Sequence, residues 1–280
     1  MKAERFSEPV AFHGEGPLWW EGLRLVDMLA GDIVTLDGDG AVVDRMHVGN
    51  VAAAFRPRRA GGLVVAVERG FALVGSDGAI ETLPEVWHDT RVRMNDGGTD
   101  PHGRFYCGSM AYDLTAGAGA LYRLDPGGDV TVVLPSVTCS NGLAWTRDGT
   151  TAYYIDSLTY RVDVFEYDEE AGLADRRPFV AIPKEHGLPD GLTVDQDGGV
   201  WVAFFGGSAV RRYRADGKLD EVIELPVSNV TACTFGGPAL DELYITTSRL
   251  ELAEGSEPEA GSVFRVRPGV AGMPPTPFAG

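Results

Sequence analysis

The sequence predicts an all-β protein, a six-bladed β-propeller with a metal-binding channel at its centre. Three observations support this prediction: short strand-like runs with almost no helical periodicity, turn signals between those runs, and a repeat of nearly constant length. We expect residues 1–280 to form a single domain, because no Pro/Ser-rich linker and no change of composition divides them.

Apolar or β-branched runs of four to six residues recur along the whole chain. They lie at 23–28, 62–67, 71–74, 105–108, 121–124, 130–134, 152–155, 162–167, 200–205, 210–213, 221–225, 243–246 and 263–266. Turn signals such as Asp77-Gly78 and Asp216-Gly217 separate them. Strands at this spacing are typical of a sandwich, a barrel or a propeller.

The repeat favours the propeller among these three. Glu15, Asn95, Asn141 and Asp190 each lie near a glycine just before a strand-like run. The steps are 46 residues from 95 to 141 and 49 from 141 to 190, and the 80 residues from 15 to 95 make nearly two steps. Units starting near 15, 51, 95, 141, 190 and 231 average about 43 residues, room for the four strands of a blade. We expect residues 6–11 to close the ring by pairing near 263–266.

Equivalent positions of a radial repeat face one axis, so these four polar residues are expected to meet there. Two carboxylates balance the charge of a divalent cation and amide oxygens add neutral ligands, which suits Ca²⁺, or Mg²⁺ or Mn²⁺. A single Asn-Gly or Asp-Gly pair is better explained as a turn. Four such residues in the same phase favour a metal site instead.

Composition argues against several other classes. With 24 Lys+Arg against 41 Asp+Glu, the net charge of −17 disfavours nucleic acid. No apolar run approaches the ~18 residues of a membrane span, and the N-terminal residues show no signal peptide. We therefore expect a cytoplasmic protein, and the oligomeric state stays open.

The reactive side chains of other enzyme classes are not arranged for catalysis. The three cysteines show no CxxC pair and are expected to be reduced, buried thiols. No histidine pair has zinc-site spacing, and no serine lies in a G-x-S-x-G context.

Short motifs in order along nearly the whole chain resemble the SMP-30/gluconolactonase/luciferin-regenerating-enzyme family of regucalcin-like proteins. They are Gly14-Glu-Gly-Pro-Leu-Trp19, Arg93-Met-Asn-Asp-Gly97, Gly108-Ser-Met110, Ser140-Asn-Gly-Leu-Ala-Trp145, Pro189-Asp-Gly-Leu192 and Phe278-Ala-Gly280. The resemblance implies a six-bladed propeller with a divalent metal, Ca²⁺ preferred and Mg²⁺, Mn²⁺ or Zn²⁺ as alternatives.

The resemblance also assigns roles to residues. It implies that Glu15, Asn141 and Asp190 bind the metal and that Arg93 and Asn95 contact substrate. Asp113 stands where animal members carry a further substrate-contacting glutamate.

The activity that the resemblance implies is hydrolysis of a sugar lactone to its aldonic acid. The metal would polarise the lactone carbonyl, and Asp190 would be both ligand and general base for the attacking water. Two alternatives remain: a phosphotriesterase-like hydrolase on the same metal, and a non-catalytic calcium-binding propeller.

Overall fold

Six four-stranded antiparallel sheets form a ring, so the predicted six-bladed β-propeller is confirmed. The computed structural model describes residues 1–280. In each blade the first strand is innermost, and it packs against the innermost strands of both neighbouring blades. The last innermost strand packs against the first, which completes the circle.

The strands run from the axis outwards in chain order in the first five blades. Blade one holds β2 (Gly14–Trp19), β3 (Leu23–Asp27), β4 (Asp32–Leu36) and β5 (Val42–His47); blade two holds β6 (Ala52–Pro57), β7 (Leu63–Val67), β8 (Gly70–Val74) and β9 (Ile80–Thr82); blade three holds β10 (Val92–Thr99), β11 (Phe105–Ala111), β12 (Gly119–Leu124) and β13 (Val130–Val137). Blade four holds β14 (Ser140–Trp145), β15 (Thr151–Asp156), β16 (Arg161–Asp168) and β17 (Gly172–Ala181); blade five holds β18 (Leu188–Val194), β19 (Val200–Phe205), β20 (Ala209–Tyr213) and β21 (Leu219–Glu224).

Blade six combines both ends of the strand order: β22 (Val230–Gly236), β23 (Glu242–Thr247), β24 (Phe264–Val266) and the N-terminal β1 (Glu4–Arg5). Glu4 pairs with Arg265 and Arg5 with Phe264. The expected closure by the N-terminal segment is therefore confirmed. The paired residues are 4–5 and not the predicted residues 6–11. Regular pairing ends at Phe6, because the N–H groups of Phe6 and Ser7 both donate to the single carbonyl of Val263.

Four strands were not predicted: β4, β5, β9 and β17. Three of them are the outermost strands of their blades, and β5 and β9 are exposed along nearly their whole length. A strand with no buried face carries little alternation of apolar and polar residues, so its sequence gives no strong signal.

The apolar core is divided among the interfaces between blades. One cluster joins blades one, two and three around Phe55, Phe71 and Phe105. Others lie between blades three and four, four and five, five and six, and six and one. Because each blade buries both faces against its neighbours, the ring is held together by side-chain packing around its whole circumference.

Buried aspartates hold the tight turns at the far end of the innermost strands. The Asp195 carboxylate, fully buried, accepts hydrogen bonds from the N–H of Gly199 at 2.8 Å, the Trp201 indole at 2.8 Å and the Arg212 Nε at 2.7 Å. Asp100 holds the equivalent turn of blade three through the Arg104 N–H and Nε. These turns fix where each innermost strand ends.

Helical structure is confined to three single turns of 3-10 helix, Met28–Ala30, Ser157–Thr159 and Lys184–His186. No helix has the length and apolar character needed to cross a membrane. The C-terminal segment crosses the far mouth of the channel, where 273–276 line a cavity and Phe278 is buried. All three cysteines are free and buried, as predicted.

Candidate metal centre and substrate cavity

Each innermost strand contains a β-bulge near the same level of the ring. The shifts in register lie between Glu15 and Leu18, Ala52 and Ala54, Met94 and Gly97, Ser140 and Leu143, Pro189 and Leu192, and Val230 and Ala232. A bulge adds a residue to one strand and changes the direction of its side chain. Asn95, Asn141 and Asp190 lie within these bulges and Glu15 directly precedes one, which accounts for their meeting in the channel.

The glycines that follow the polar residues allow adjacent innermost strands to approach closely. A Cβ atom on Gly142 would lie 2.6 Å from the backbone nitrogen of Leu192, and one on Gly191 would lie 2.9 Å from the Cα of Ala232. Both glycines lie inside strands. The simple turn interpretation of these Asn-Gly and Asp-Gly pairs is therefore wrong, and the common-phase interpretation holds.

Five of the six predicted site residues line one cavity of about 280 Å³ at the mouth where the innermost strands begin. They are Glu15, Arg93, Asn95, Asn141 and Asp190, and none is more than 5% exposed except Asp190 at 6%. They come from four strands, β2, β10, β14 and β18, which belong to four different blades. The cavity thus gathers residues that are up to 175 positions apart in sequence, from 15 to 190.

A chain of hydrogen bonds fixes the amide side chains. The Arg93 Nη1 donates to Asn95 Oδ1 at 2.7 Å, and Asn95 Nδ2 donates to Asn141 Oδ1 at 2.9 Å. Asn141 Nδ2 in turn donates to Ser157 Oγ at 2.8 Å. Each amide oxygen accepts one protein hydrogen bond here, and a carbonyl oxygen has two lone pairs, so each keeps capacity for a further donor or a cation.

The Nε of Arg93 is buried without a hydrogen-bond partner. A buried guanidinium N–H normally has an acceptor. The unpaired group lies on a residue of the cavity wall, so it is a candidate donor to an oxygen atom of a bound molecule.

Two carboxyl groups in the cavity, those of Glu15 and Asp190, are buried, and burial destabilises their ionised forms. Burial raises the pKa of Glu15 to about 8, and the negative charge of Asp96 adds to the increase. Burial likewise raises the pKa of Asp190 well above its usual range, with contributions from Glu15 and Asp96. Arg93 opposes both shifts by its charge. Two cations, Arg93 and the Arg56 that acts on Asp96, thus face three acidic groups, which leaves excess negative charge when all are ionised.

This donor set fits a divalent cation. Buried carboxylates are normally paired with cations or coordinated to a metal, and Glu15 accepts a hydrogen bond only from the adjacent Gly16 N–H at 3.0 Å. Two carboxylates and an amide oxygen are hard oxygen ligands of the kind that Ca²⁺ and Mg²⁺ bind. No position in the molecule brings together three or more His, Cys, Asp or Glu side chains for a metal, so the amide of Asn141 is needed to complete the set.

Asp113 is not brought to the cavity. Its carboxylate is exposed and accepts hydrogen bonds from the N–H and Oγ1 of Thr115, at 3.0 and 2.7 Å. The residues on either side of it, Tyr112 and Leu114, line the cavity instead. A substrate contact by Asp113 stays a prediction for which this geometry gives no support.

The structure adds residues that the sequence did not single out. Asp96, next to Asn95 in the motif, is buried and acts on both carboxylates through its charge. His13 lines the cavity and its Nδ1 lies 2.7 Å from Ser248 Oγ. Burial lowers the pKa of His13 to about 3, so its ring is neutral at pH 7. The adjacency of Asp96 to a repeat residue was the only sequence signal for any of them.

Comparisons with known proteins identify the family and agree with the fold. A family model described as the SMP-30/Gluconolactonase/LRE-like region matches residues 13–249. Regucalcin of Danio rerio is 36% identical over 279 residues, which cover 95% of this chain and 95% of that protein. Among solved structures, a luciferin-regenerating enzyme is 31% identical with a TM-score of 0.88, covering 96% of each chain. A regucalcin from Agrobacterium tumefaciens, described as a calcium-binding protein, is 25% identical with a TM-score of 0.92, covering 99% of this chain and 97% of that one.

Proposed function

Because this chain belongs to the SMP-30/Gluconolactonase/LRE-like family, we propose that it is a metal-dependent lactonase. The family name suggests sugar lactones, the aldonolactones, as the first substrates to examine. The observation that supports the proposal most directly is the convergence of Glu15, Asn141 and Asp190 with the Arg93–Asn95 pair in one cavity.

Glu15, Asn141 and Asp190 are the residues that would hold the cation, with Ca²⁺ preferred on the chemistry of their oxygen atoms. When bound, a divalent cation supplies polarisation of a carbonyl group and stabilises developing negative charge. The bulges of β2, β14 and β18 set the directions of the three side chains, and the hydrogen bond from Asn95 orients the Asn141 amide.

Arg93 and Asn95 would orient the substrate. The unpaired Nε of Arg93 donates to a ring or hydroxyl oxygen of the lactone. Asn95 is held on both sides, by Arg93 and by Asn141, so its position is fixed before substrate binds. Such preorganisation lowers the entropic cost of reaching the reactive arrangement.

Asp190 would act as general base. Arg93 opposes the Asp190 pKa increase by charge, and no hydrogen bond to the carboxylate contributes to its pKa. Burial favours the protonated acid, whereas a bound divalent cation would favour the carboxylate, and the oxygen that does not hold the cation would then accept a proton from water. Water attacks the carbonyl carbon, its proton passes to Asp190, the bond from carbonyl carbon to ring oxygen breaks, and the ring oxygen receives the proton. The product is a hydroxy acid.

A lactone panel in a weakly buffered pH-indicator assay tests the proposal, with spontaneous hydrolysis subtracted. Chelated protein is compared with protein loaded with Ca²⁺, Mg²⁺, Mn²⁺ or Zn²⁺. Asp190→Asn is expected to lower kcat by about 100-fold or more, the usual contribution of a general base. Asp216→Asn, a change of the same kind at an exposed turn, is expected to have no effect.

Calcium titration by calorimetry separates the proposal from its non-catalytic alternative. Metal-dependent turnover that Asp190→Asn removes supports a lactonase. Tight binding of Ca²⁺ without turnover on any lactone refutes it and favours a calcium-binding propeller, the description given to the Agrobacterium relative.

A further inference from the structure

The exposed large apolar side chains are not scattered evenly over the ring. Six of them lie on outermost strands, namely Val42, Val43, Ile80, Val130, Val132 and Leu219, and Met1 is the N-terminal residue. The other four are Phe12, Tyr112, Leu114 and Leu158. Phe12 precedes β2, and the other three follow second strands of blades three and four, so all four lie at the end of the ring that carries the cavity.

The same apolar character continues into the cavity wall. Five apolar residues of four blades line it: Leu29, Tyr112, Leu114 and Leu250 lie in connections between second and third strands, and Phe205 is the last residue of the second strand β19. We call these five residues the apolar rim. The polar lining residues Glu15, Arg93, Asn95, Asn141 and Asp190 come from the innermost strands. The cavity is therefore polar at its innermost strands except for Leu188, and largely apolar around its mouth, where His13, Ser157 and Glu251 are the polar exceptions.

The five rim residues offer few groups to the hydroxyls of a sugar, although the Glu251 carboxylate lies beside Leu250 in the cavity wall. The Tyr112 hydroxyl donates to Glu68 Oε1 at 2.9 Å, and the Arg93 guanidinium lies 5.7 Å from the centre of its ring. The Tyr112 hydroxyl is thus already paired within the protein. Asp113 is turned away to Thr115, which removes a further hydroxyl partner.

Leu114 occupies a backbone conformation that favours glycine or asparagine. Its φ angle is 58°, in the left-handed region. Strained positions of this kind concentrate at functional sites. The Leu114 side chain is half exposed and lines the cavity, so it is placed to contact a bound molecule.

From this division of the cavity we propose that the preferred substrate is a lactone with an apolar substituent on its ring, an alkyl or aryl group. This inference rests on the lactonase function proposed above. The ester group lies against Arg93, Asn95 and Asp190, and the substituent packs on the apolar rim. A cavity of about 280 Å³ is at the small end for ligand sites, so the ring fills it and the substituent meets the rim at the mouth.

Three lactones of one ring size test the inference on the Ca²⁺-loaded protein: δ-valerolactone without substituent, δ-decalactone with an alkyl chain, and D-glucono-δ-lactone with hydroxyls. A buried methylene is worth about fourfold in binding. If two are buried, kcat/KM for δ-decalactone exceeds that for δ-valerolactone by about 16-fold, and D-glucono-δ-lactone is the poorest of the three.

Leu114→Asn removes the apolar side chain with a residue that accepts the left-handed backbone. It is expected to lower the ratio of kcat/KM for δ-decalactone over δ-valerolactone by at least about fourfold. Leu250→Asn provides a second variant of the rim. Leu219→Asn, at an equally exposed leucine on β21, is expected to leave the ratio unchanged.

A binding measurement gives a readout that needs no turnover. The ring-opened acid of δ-decalactone is expected to bind Asp190→Asn at least about 10-fold more tightly than gluconate by calorimetry, and Leu114→Asn is expected to remove that preference.

Turnover of D-glucono-δ-lactone as efficient as that of δ-decalactone, with a ratio insensitive to Leu114→Asn, overturns the apolar-substituent inference and leaves the lactonase function standing. Absence of turnover on every lactone overturns the lactonase function, and the two acids then decide whether the rim binds apolar groups.

Discussion

Gly142→Ala is expected to disturb both the stability of the ring and the metal centre. The added Cβ would lie 2.6 Å from the backbone nitrogen of Leu192, 2.6 Å from its Cγ and 3.0 Å from the carbonyl oxygen of Asp190. Ordinary van der Waals contact begins near 3.4 Å, so β14 and β18 must separate by about 0.8 Å. Gly142 directly follows the proposed ligand Asn141. The added methyl group would press against β18, the strand that carries the proposed ligand Asp190.

The loss of unfolding free energy in Gly142→Ala depends on which atoms the added methyl group meets. Overpacking a core costs about 1–3 kcal/mol, and backbone atoms yield less than side chains do, so about 2–3 kcal/mol is expected. Unfolding entropy is about 2.1 cal/mol/K per residue, which for 280 residues gives roughly 0.6 kcal/mol/K. Tm should therefore fall by about 3–5 °C.

The metal centre should be affected more strongly than stability. A displacement near 1 Å costs about 100-fold in a preorganised site, so kcat/KM and Ca²⁺ affinity are both expected to fall steeply. Differential scanning calorimetry gives Tm, and isothermal titration gives Ca²⁺ affinity.

Gly38→Ala is the matched control, since a Cβ at Gly38 meets no atom within 4 Å. A Gly142→Ala protein with the Tm and Ca²⁺ affinity of Gly38→Ala would refute the close-approach explanation of the repeated glycines.

Three further changes give measurable outcomes. Glu15→Gln is expected to raise the Tm of the chelated protein, because the buried Glu15 carboxyl must take up a proton at pH 7 that the unfolded chain does not bind. It is also expected to abolish the Ca²⁺-induced rise of about 4–5 °C expected at 100 times Kd; an undiminished rise would exclude Glu15 as a ligand. Asp195→Ala leaves the Trp201 indole and the Gly199 N–H without an acceptor and leaves Arg212 with Asp220 alone, and should cost about 3–5 kcal/mol in a urea titration. Asp216→Ala at an exposed turn should cost under about 0.5 kcal/mol. Burial raises the pKa of Tyr106 to about 12 from 10.0; the unfolded chain loses this proton first, so stability is lost as pH rises from 10 towards 12, by about 2 kcal/mol from Tyr106. Tyr106→Phe should flatten that part of the profile, and an unchanged slope would contradict it.

The repeat made the centre of this fold predictable. Five of the six predicted unit starts, at 15, 95, 141, 190 and 231, lie inside an innermost strand, and the sixth, at 51, directly precedes one. Innermost strands bury both faces, so selection for packing leaves a strong pattern in their sequence. The outermost strands β5, β9 and β17 lack such a pattern and were missed.

The site residues that belong to the repeat could be predicted from the sequence, and those outside the repeat could not. Glu15, Asn95, Asn141 and Asp190 share one phase, and the ring brings that phase to one cavity. Asp113 lies outside the phase, on a loop after β11, where one residue of difference decides whether a side chain faces the cavity or solvent. The apolar rim was also hidden, since its residues are adjacent only after six blades close.

The pairing of β1 with β24 also constrains how the chain reaches its native state. Glu4 and Arg265 are 261 positions apart, so the last ladder cannot form until almost the whole chain exists. At about 5–20 residues per second, synthesis leaves the N-terminal strand without its partner for roughly 15–50 s. During that interval the ring is open. The faces of the first blades that pack against neighbouring blades in the native ring therefore stay exposed. Contacts between such distant residues form slowly. The joining of the two chain ends is thus expected to set the folding rate, and an extension fused before Glu4 is expected to slow folding more than one fused after Gly280.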